Sequence, residues 1–279
     1  EMGNFDDAIA DYNKAIELNP EFALAYSNRG YAKAETGNLD EAIIDHNKAI
    51  ELDPKLAWAY NYRGLLWYKL DDYDAAILDY NKAVELDSTF AWAYNNRGIA
   101  MDKLGEFDAG IANFDRAIEL DTIYAWAYSN RGYAKFNLGK ISEAIVDYSK
   151  AIKLDPKLAL PYYNRGIAKD KLGEYEGAIV DFSKRIEIEP GFAPAYNYRG
   201  IAQGKLGRHK QAFADFNEAI EIDPEFALAY NNRGYAHYNL KHYHEALADY
   251  RRALKLDPDL DLAINNLKSL NQEMAKIKN

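Results

Sequence analysis

From Ala91 to Tyr124 the apolar and small residues fall into two stripes with a helical period. Tyr94, Gly98, Met101 and Leu104 recur at spacings of four, three and three, which places them along one side of a first helix. Gly105 breaks that pattern, and Asp108 is the expected N-cap of a second helix with the stripe Gly110, Ile111, Phe114, Ala117 and Ile118. The second helix is expected to end near Leu120 and Asp121. Where proline follows, as in Asp53-Pro54 and Asp223-Pro224, the missing N–H and the ring clash stop the helix. No stretch alternates with period two, so the reading is all-α.

The same pattern returns along the whole chain. Arg-Gly stands at Arg29-Gly30, Arg63-Gly64, Arg97-Gly98, Arg131-Gly132, Arg165-Gly166, Arg199-Gly200 and Arg233-Gly234, each pair 34 residues after the last. A tyrosine column (Tyr26, Tyr60, Tyr94, Tyr128, Tyr162, Tyr196, Tyr230) keeps the same period. So does a proline column, with Ser88 and Thr122 standing in twice. The expected organisation is therefore a truncated opening repeat over 1–22, supplying only a second helix, and full repeats over 23–56, 57–90, 91–124, 125–158, 159–192, 193–226 and 227–260. A capping helix follows over 261–279. The cap is expected to turn Leu262, Ile264, Leu267 and Leu270 inward. A lone helix pair of this size cannot bury its own apolar faces, whereas stacked pairs share a continuous core.

At these residues the chain resembles the tetratricopeptide repeat family: an aromatic at Tyr60, Gly64 four residues later, Ala76, an aromatic at Tyr80, then Ala83 and the Pro54-type ending. The resemblance implies antiparallel helix pairs wound into a right-handed superhelical solenoid, an α-α superhelix whose first helices line a concave groove. It also implies peptide or protein binding without catalysis. The residues agree, since Gly64 and Ala76 lack bulk where two helices approach closely. Two departures stand out. Gly110 replaces the usual alanine and should weaken its helix by about 1 kcal/mol. Arg185 replaces the small residue at the contact with the next repeat, so its stem must snorkel or the helices must separate.

In such a fold the face of a first helix not used for stacking carries Trp92, Asn95, Asn96, Ile99, Asp102 and Lys103. The expected peptide-binding residues are Asn28, Asn61, Tyr62, Asn95, Asn96, Asn130, Asn164, Asn197, Tyr198, Asn231 and Asn232, together with Trp58, Trp92 and Trp126. A carboxamide both donates and accepts, as an extended peptide backbone does. The series is similar to the asparagine ladder in the repeat region of O-GlcNAc transferases. The alternative is that these asparagines bond to neighbouring helices and tune the superhelix. The tryptophans are either interface anchors or ordinary packing between first helices. Along this face Lys69, Lys103, Lys171 and Lys205 oppose Glu35, Asp102 and Asp170, which admits an acidic or neutral peptide. A lysine- and arginine-containing clamp for a C-terminal carboxylate, known in chaperone-binding members of the family, is missing its cations here.

The arginines pair with a second column, Asp11, Asp45, Asp79, Asp147, Asp181, Asp215 and Asp249, broken by Asn113. A repeated Arg–Asp link between helices follows, either within a repeat or to the next one.

Composition narrows the function further. The 279 residues are 48% apolar and 28% charged with a net charge of −10, so a nucleic acid would meet repulsion. With no cysteine, disulfides, thiolate metal sites and cysteine nucleophiles fall away. No apolar run reaches the ~20 residues that span a bilayer, and the opening residues lack the features of a signal peptide. His209, His237, His242 and His244 cluster late in the chain, yet no His-Glu-x-x-His occurs and they fall at or near turns, so no metal is expected. No phosphate loop and no Gly-x-Ser-x-Gly are present, and neither a cofactor nor enzyme activity is expected. The expectation is a cytoplasmic scaffold, a fragment of a longer chain, that binds a protein or peptide in its groove. Self-association through the uncovered face of the first helix, at Ile9, Tyr12 and Ile16, is the alternative.

Overall fold

The apolar stripes fold as helices, and the described residues hold sixteen of them and no strand. The computed structural model describes residues 5–278; residues 1–4 of the expected opening repeat and residue 279 of the expected cap lie outside it. The chain divides into two compact units, each described by itself. The unit Glu1–Lys140 contains α1 (Phe5–Leu18), α2 (Ala23–Glu35), α3 (Leu39–Leu52), α4 (Ala57–Lys69), α5 (Tyr73–Leu86), α6 (Ala91–Lys103), α7 (Phe107–Leu120) and α8 (Ala125–Asn137). The unit Ile141–Asn279 contains α9 (Ile141–Leu154), α10 (Ala159–Lys171), α11 (Tyr175–Ile188), α12 (Ala193–Lys205), α13 (His209–Ile222), α14 (Ala227–Asn239), α15 (Tyr243–Leu256) and α16 (Asp261–Lys278). The boundary falls inside the expected repeat 125–158. First helices begin every 34 residues from Ala23 to Asp261, and second helices do so from Phe5 to Tyr243.

The turns explain the sharp starts and stops. Gly105 takes φ +80, and the Glu106 N–H donates back to the Met101 carbonyl at 3.0 Å, closing α6 with a left-handed residue. Asp71 and Lys241 occupy the same turn position with φ 61 and 63, a conformation that suits glycine better. Asp108 is not the cap expected of it: α7 starts two residues earlier, Glu106 holds the N-cap position, and Asp108 lies in the first turn. At the other end of the second helices the aspartates close the loop, as in Asp53 Oδ1 accepting from Lys55 N–H at 2.9 Å.

Within a repeat the small residues set the spacing. A Cβ added at Gly64 would stand 2.8 Å from Tyr80 Cε1, and one at Gly98 would stand 2.7 Å from Phe114 Cε1. Buried alanines do the same between repeats, where Ala83 of α5 and Ala93 of α6 share one cluster. In the first unit α2 touches α4, α4 touches α6 and α6 touches α8; in the second, α10 touches α12, α12 touches α14 and α14 touches α16. Among the described residues no second helix approaches another second helix so closely. Each unit therefore curves with its first helices on the inner side.

The arginine column holds the splayed outer side. Arg63 is bidentate on Asp79 of its own repeat, Nε to Oδ2 at 2.8 Å and Nη2 to Oδ1 at 2.6 Å, which decides between the two pairings left open above. Its remaining Nη1 donates to Asn47 Oδ1 at 2.6 Å, on the second helix of the preceding repeat. The guanidinium also lies 5.7 Å from the Tyr60 ring centroid. Arg29, Arg165, Arg199 and Arg233 repeat the arrangement. One arginine thus ties three helices. Arg97 meets Asn113 instead of a carboxylate, and burial lowers its pKa.

Two further expectations need correction. Arg185 does not snorkel out: it is 6% exposed, its guanidinium lies 4.1 Å from the Phe192 ring centroid, and Nη2 donates to Glu189 Oε2 at 2.7 Å. The adjoining α11 and α12 remain packed. In α16 the inward residues include Ala263, Leu267 and Leu270, while Leu262 and Ile264 are exposed, because the helix keeps the roll of the first helices before it. No helix among the described residues is long and apolar enough to cross a membrane.

Candidate functional site

The inner side divides the expected binding residues into two groups. Asn61, Asn95, Asn197 and Asn231 are buried, and so are Ser27 and Ser129 of the same column. Asn28, Tyr62, Asn96, Asn130, Asn164, Tyr198 and Asn232, one position further along, are half-buried. The two asparagine columns bond to each other across repeats. Asn96 Nδ2 donates to Asn61 Oδ1 at 3.1 Å, and Asn130 Nδ2 donates to Asn95 Oδ1 at 2.9 Å. Asn95 Nδ2 reaches Asn96 Oδ1 at 3.4 Å, so one run of carboxamides, Asn130 to Asn95 to Asn96 to Asn61, crosses α8, α6 and α4. In the second unit Asn266, Asn231, Asn232 and Asn197 form the same run.

For the buried column these bonds follow the alternative reading, in which the asparagines join neighbouring helices: Asn61, Asn95, Asn197 and Asn231 spend their carboxamide oxygens on the neighbouring first helix. Asn28 and Asn164 keep theirs without a side-chain partner among the described residues. The pairing could have been read from the sequence, since asparagines 35 residues apart lie one position out of register in successive repeats.

The tryptophans remain open. Trp58, Trp92 and Trp126 are 42%, 51% and 44% exposed at the starts of α4, α6 and α8. Trp58 packs at 4.4 Å on Phe90 and edge-on at 6.0 Å against Trp92. Next to them Leu24, Asn28, Trp58 and Tyr62 line a recess of about 270 Å³. Tyr62 stacks between Tyr31 and the buried His46, whose imidazole burial pushes down to about 4. In the second unit Tyr163 and Tyr198 meet edge-on at 5.7 Å.

A second recess, of about 140 Å³, is lined by Ile99, Asp102, Lys103, Asn130 and Tyr133. Asp102 Oδ1 is buried against Gly110 with no donor, and its carboxylate forms no ion pair among the described residues. Burial pushes this carboxyl up to about 7. A Cβ added at Gly110 would collide with Asp102 Oδ1 as that side chain stands, whereas in the second unit Ala178 occupies the position of Gly110. The matching residue in the second unit is Asp170, whose Oδ1 is likewise buried without a donor but whose Oδ2 receives Lys205 Nζ at 2.7 Å. That pairing takes Lys205 and Asp170 out of the charge count made along the sequence. Further along, Ile201, Gly204, Asn232 and Tyr235 line the equivalent recess, which reaches about 410 Å³ where Gly204 replaces the aspartate.

Among the described residues no three metal-ligating side chains converge; His237 and His242 lie with ring centroids 5.8 Å apart.

Family profiles described as TPR repeat and tetratricopeptide repeat match residues 1–37, 30–71, 66–105, 93–124, 132–173, 160–192, 205–241 and 227–260. A comparison with curated proteins gave no match. Among solved structures, a chain of the APC/C hetero-tetramer Cut9-Hcn1 is 19% identical with a TM-score of 0.74, over 95% of this chain and 52% of that one. The present chain therefore spans about half the length of that relative. YrrB, described as a TPR protein with an unusual peptide-binding site, is 25% identical with a TM-score of 0.57, over 68% of this chain and 97% of that one. MamA is 30% identical with a TM-score of 0.54, over 61% and 93%.

Proposed function

Because the chain belongs to the tetratricopeptide repeat family, whose fold is typical of protein–protein interaction scaffolds, we propose that the inner face of its first helices binds an extended peptide or a helix of a partner protein. The observation that carries this reading is the row of three half-exposed tryptophans on consecutive first helices. Exposed indole at this density is what an interface uses as an anchor. The free carboxamide of Asn28 beside Trp58 and Tyr62 adds a polar group able to bond a peptide backbone. No catalytic step belongs to this reading.

A second reading is self-association. It draws on α1, in which no residue is buried and Leu18 is 81% exposed. Light scattering over a dilution series separates the two: a monomer at every concentration removes self-association. For the first reading, the intact protein is compared in pull-downs with a Trp58→Ala/Trp92→Ala/Trp126→Ala variant whose helical circular dichroism is checked first. Loss of bound partners is expected. Equal capture of the same partners by the folded variant overturns the proposal. Tryptophan substitutions serve better than asparagine ones, because Asn96 and Asn130 also hold the helices together.

A further inference from the structure

The recess between α6 and α8 differs from its counterpart between α10 and α12 in one respect that points to a ligand. At both places an aspartate near the end of a first helix turns one carboxylate oxygen into the protein, where no donor meets it. In the second unit the outer oxygen is neutralised by the chain itself. Lys205, 35 residues after Asp170, brings its ammonium to 2.7 Å and lies 4.9 Å from the Tyr175 ring centroid. In the first unit the residue 35 positions after Asp102 is Asn137, whose Nδ2 donates instead to the Tyr133 carbonyl at 2.9 Å. Phe107 stands where Tyr175 does. The aspartate, the aromatic and the helix geometry are retained while the cation is missing.

The surroundings of Asp102 favour a cation further. Asn130 uses its Nδ2 on Asn95, which leaves its Oδ1 as an acceptor without a partner on the wall of the same recess. Tyr133, 48% exposed, adds an aromatic face. Lys103, the one cation lining the recess, is exposed and forms no ion pair with Asp102. Two oxygen acceptors and a ring around about 140 Å³ suit the end of a single basic side chain.

We propose that this recess binds a lysine or arginine side chain of the partner peptide, with Asp102 and Asn130 as its acceptors, in the way that Asp170 holds the protein's own Lys205. The proposal rests on the inner face being the peptide-binding face and names one residue class within that peptide. Burial of the carboxyl, which pushes it up to about 7 while the site is empty, makes a cationic partner more favourable still, because the ammonium restores the charged form.

The test uses the 279-residue chain and end-capped nonapeptide pools, randomised without lysine or arginine except at a fixed central position. That position is lysine, arginine, norleucine or Nε-acetyl-lysine, and binding is read by fluorescence anisotropy. The lysine and arginine pools are expected to bind about tenfold tighter than the norleucine and acetyl-lysine pools. Asp102→Asn, which removes the charge, and Asn137→Lys, which supplies an internal ammonium as Lys205 does, are each expected to abolish that preference while the helical circular dichroism is retained. Equal binding of the lysine and norleucine pools overturns the cation site and leaves the inner-face reading standing. A basic preference that survives both substitutions places the contact elsewhere and also overturns it. Binding of no pool at all overturns both readings.

Discussion

Asp102 and Asp170 occupy equivalent positions in two units built from the same repeat, yet one is left alone and the other holds a lysine. The backbone around them is the same to the residue: each lies in the last turn of a first helix that ends at the following lysine. What decides their pairing is the residue 35 positions downstream, Asn137 in one unit and Lys205 in the other, although the surroundings also differ, with Gly110 and Asn130 standing where the second unit has Ala178 and Tyr198. The lesson is that a repeat can keep its shape while changing its chemistry, because the columns that set helix spacing are not those that line the recesses.

The strongest way to break the comparison is through the struts that hold each unit. Arg63→Ala leaves Asp79, 7% exposed in its side chain, without its bidentate partner, and is expected to cost about 3–5 kcal/mol in urea unfolding. Arg97→Ala takes the donor from Oδ1 of the neutral Asn113, whose Nδ2 stays bonded to the Ala109 carbonyl, and is expected to cost about 1–2 kcal/mol. Equal losses would mean that the carboxylate adds nothing to the strut.

A smaller effect isolates Asp102 itself. Its carboxyl titrates at about 7 when folded, against about 3.9 in an unfolded chain. Between those values the folded state binds more protons, so stability falls as pH rises through the window and levels off above it. Between pH 5 and pH 8 the loss is expected to be about 1 kcal/mol after allowing for solvent screening at a half-open site. Asp102→Asn should remove that slope, and an unchanged slope would assign it to another group. The smallest effect is a control common to both units. Lys241→Gly relieves a left-handed turn and is expected to raise stability by about 0.5–1 kcal/mol in thermal melts, while Asp71→Gly, which relieves the same turn but also loses the bond from the Tyr73 hydroxyl, is expected to gain less. A loss of stability in Lys241→Gly would show that the turn carries no strain.

Much of the architecture was legible because it depends on columns. Gly64 against Tyr80 and the 34-residue Arg-Gly period require no knowledge of helix roll, and the helices start where the period puts them. The candidate face was harder. Adjacent positions on a helix differ by about 100°, so Asn95 and Asn96 look interchangeable in sequence, yet one is buried and the other half-open. That difference is set by how far each first helix rolls against the next, which is a property of the packed layer. Arg185 failed for a similar reason, since its acceptor and its aromatic cover, Glu189 and Phe192, lie beyond the helix contact from which its fate was judged. The pairing of Lys205 with Asp170 removes one charge of each sign from the face and leaves its balance where the sequence put it.

The fixed reach of the bonds has an evolutionary corollary. Arginine struts span 16 residues in either direction and carboxamide links span 35, so both are tied to the 34-residue step. Excising residues 91–124 would bring Asn61 opposite Asn130 and Asn81 opposite Arg131, giving each a polar partner again. A cut that is not a whole number of 34-residue steps would strand them. Gene duplication and loss can thus lengthen or shorten such a protein in whole steps, and each new copy starts with its polar wiring already in phase.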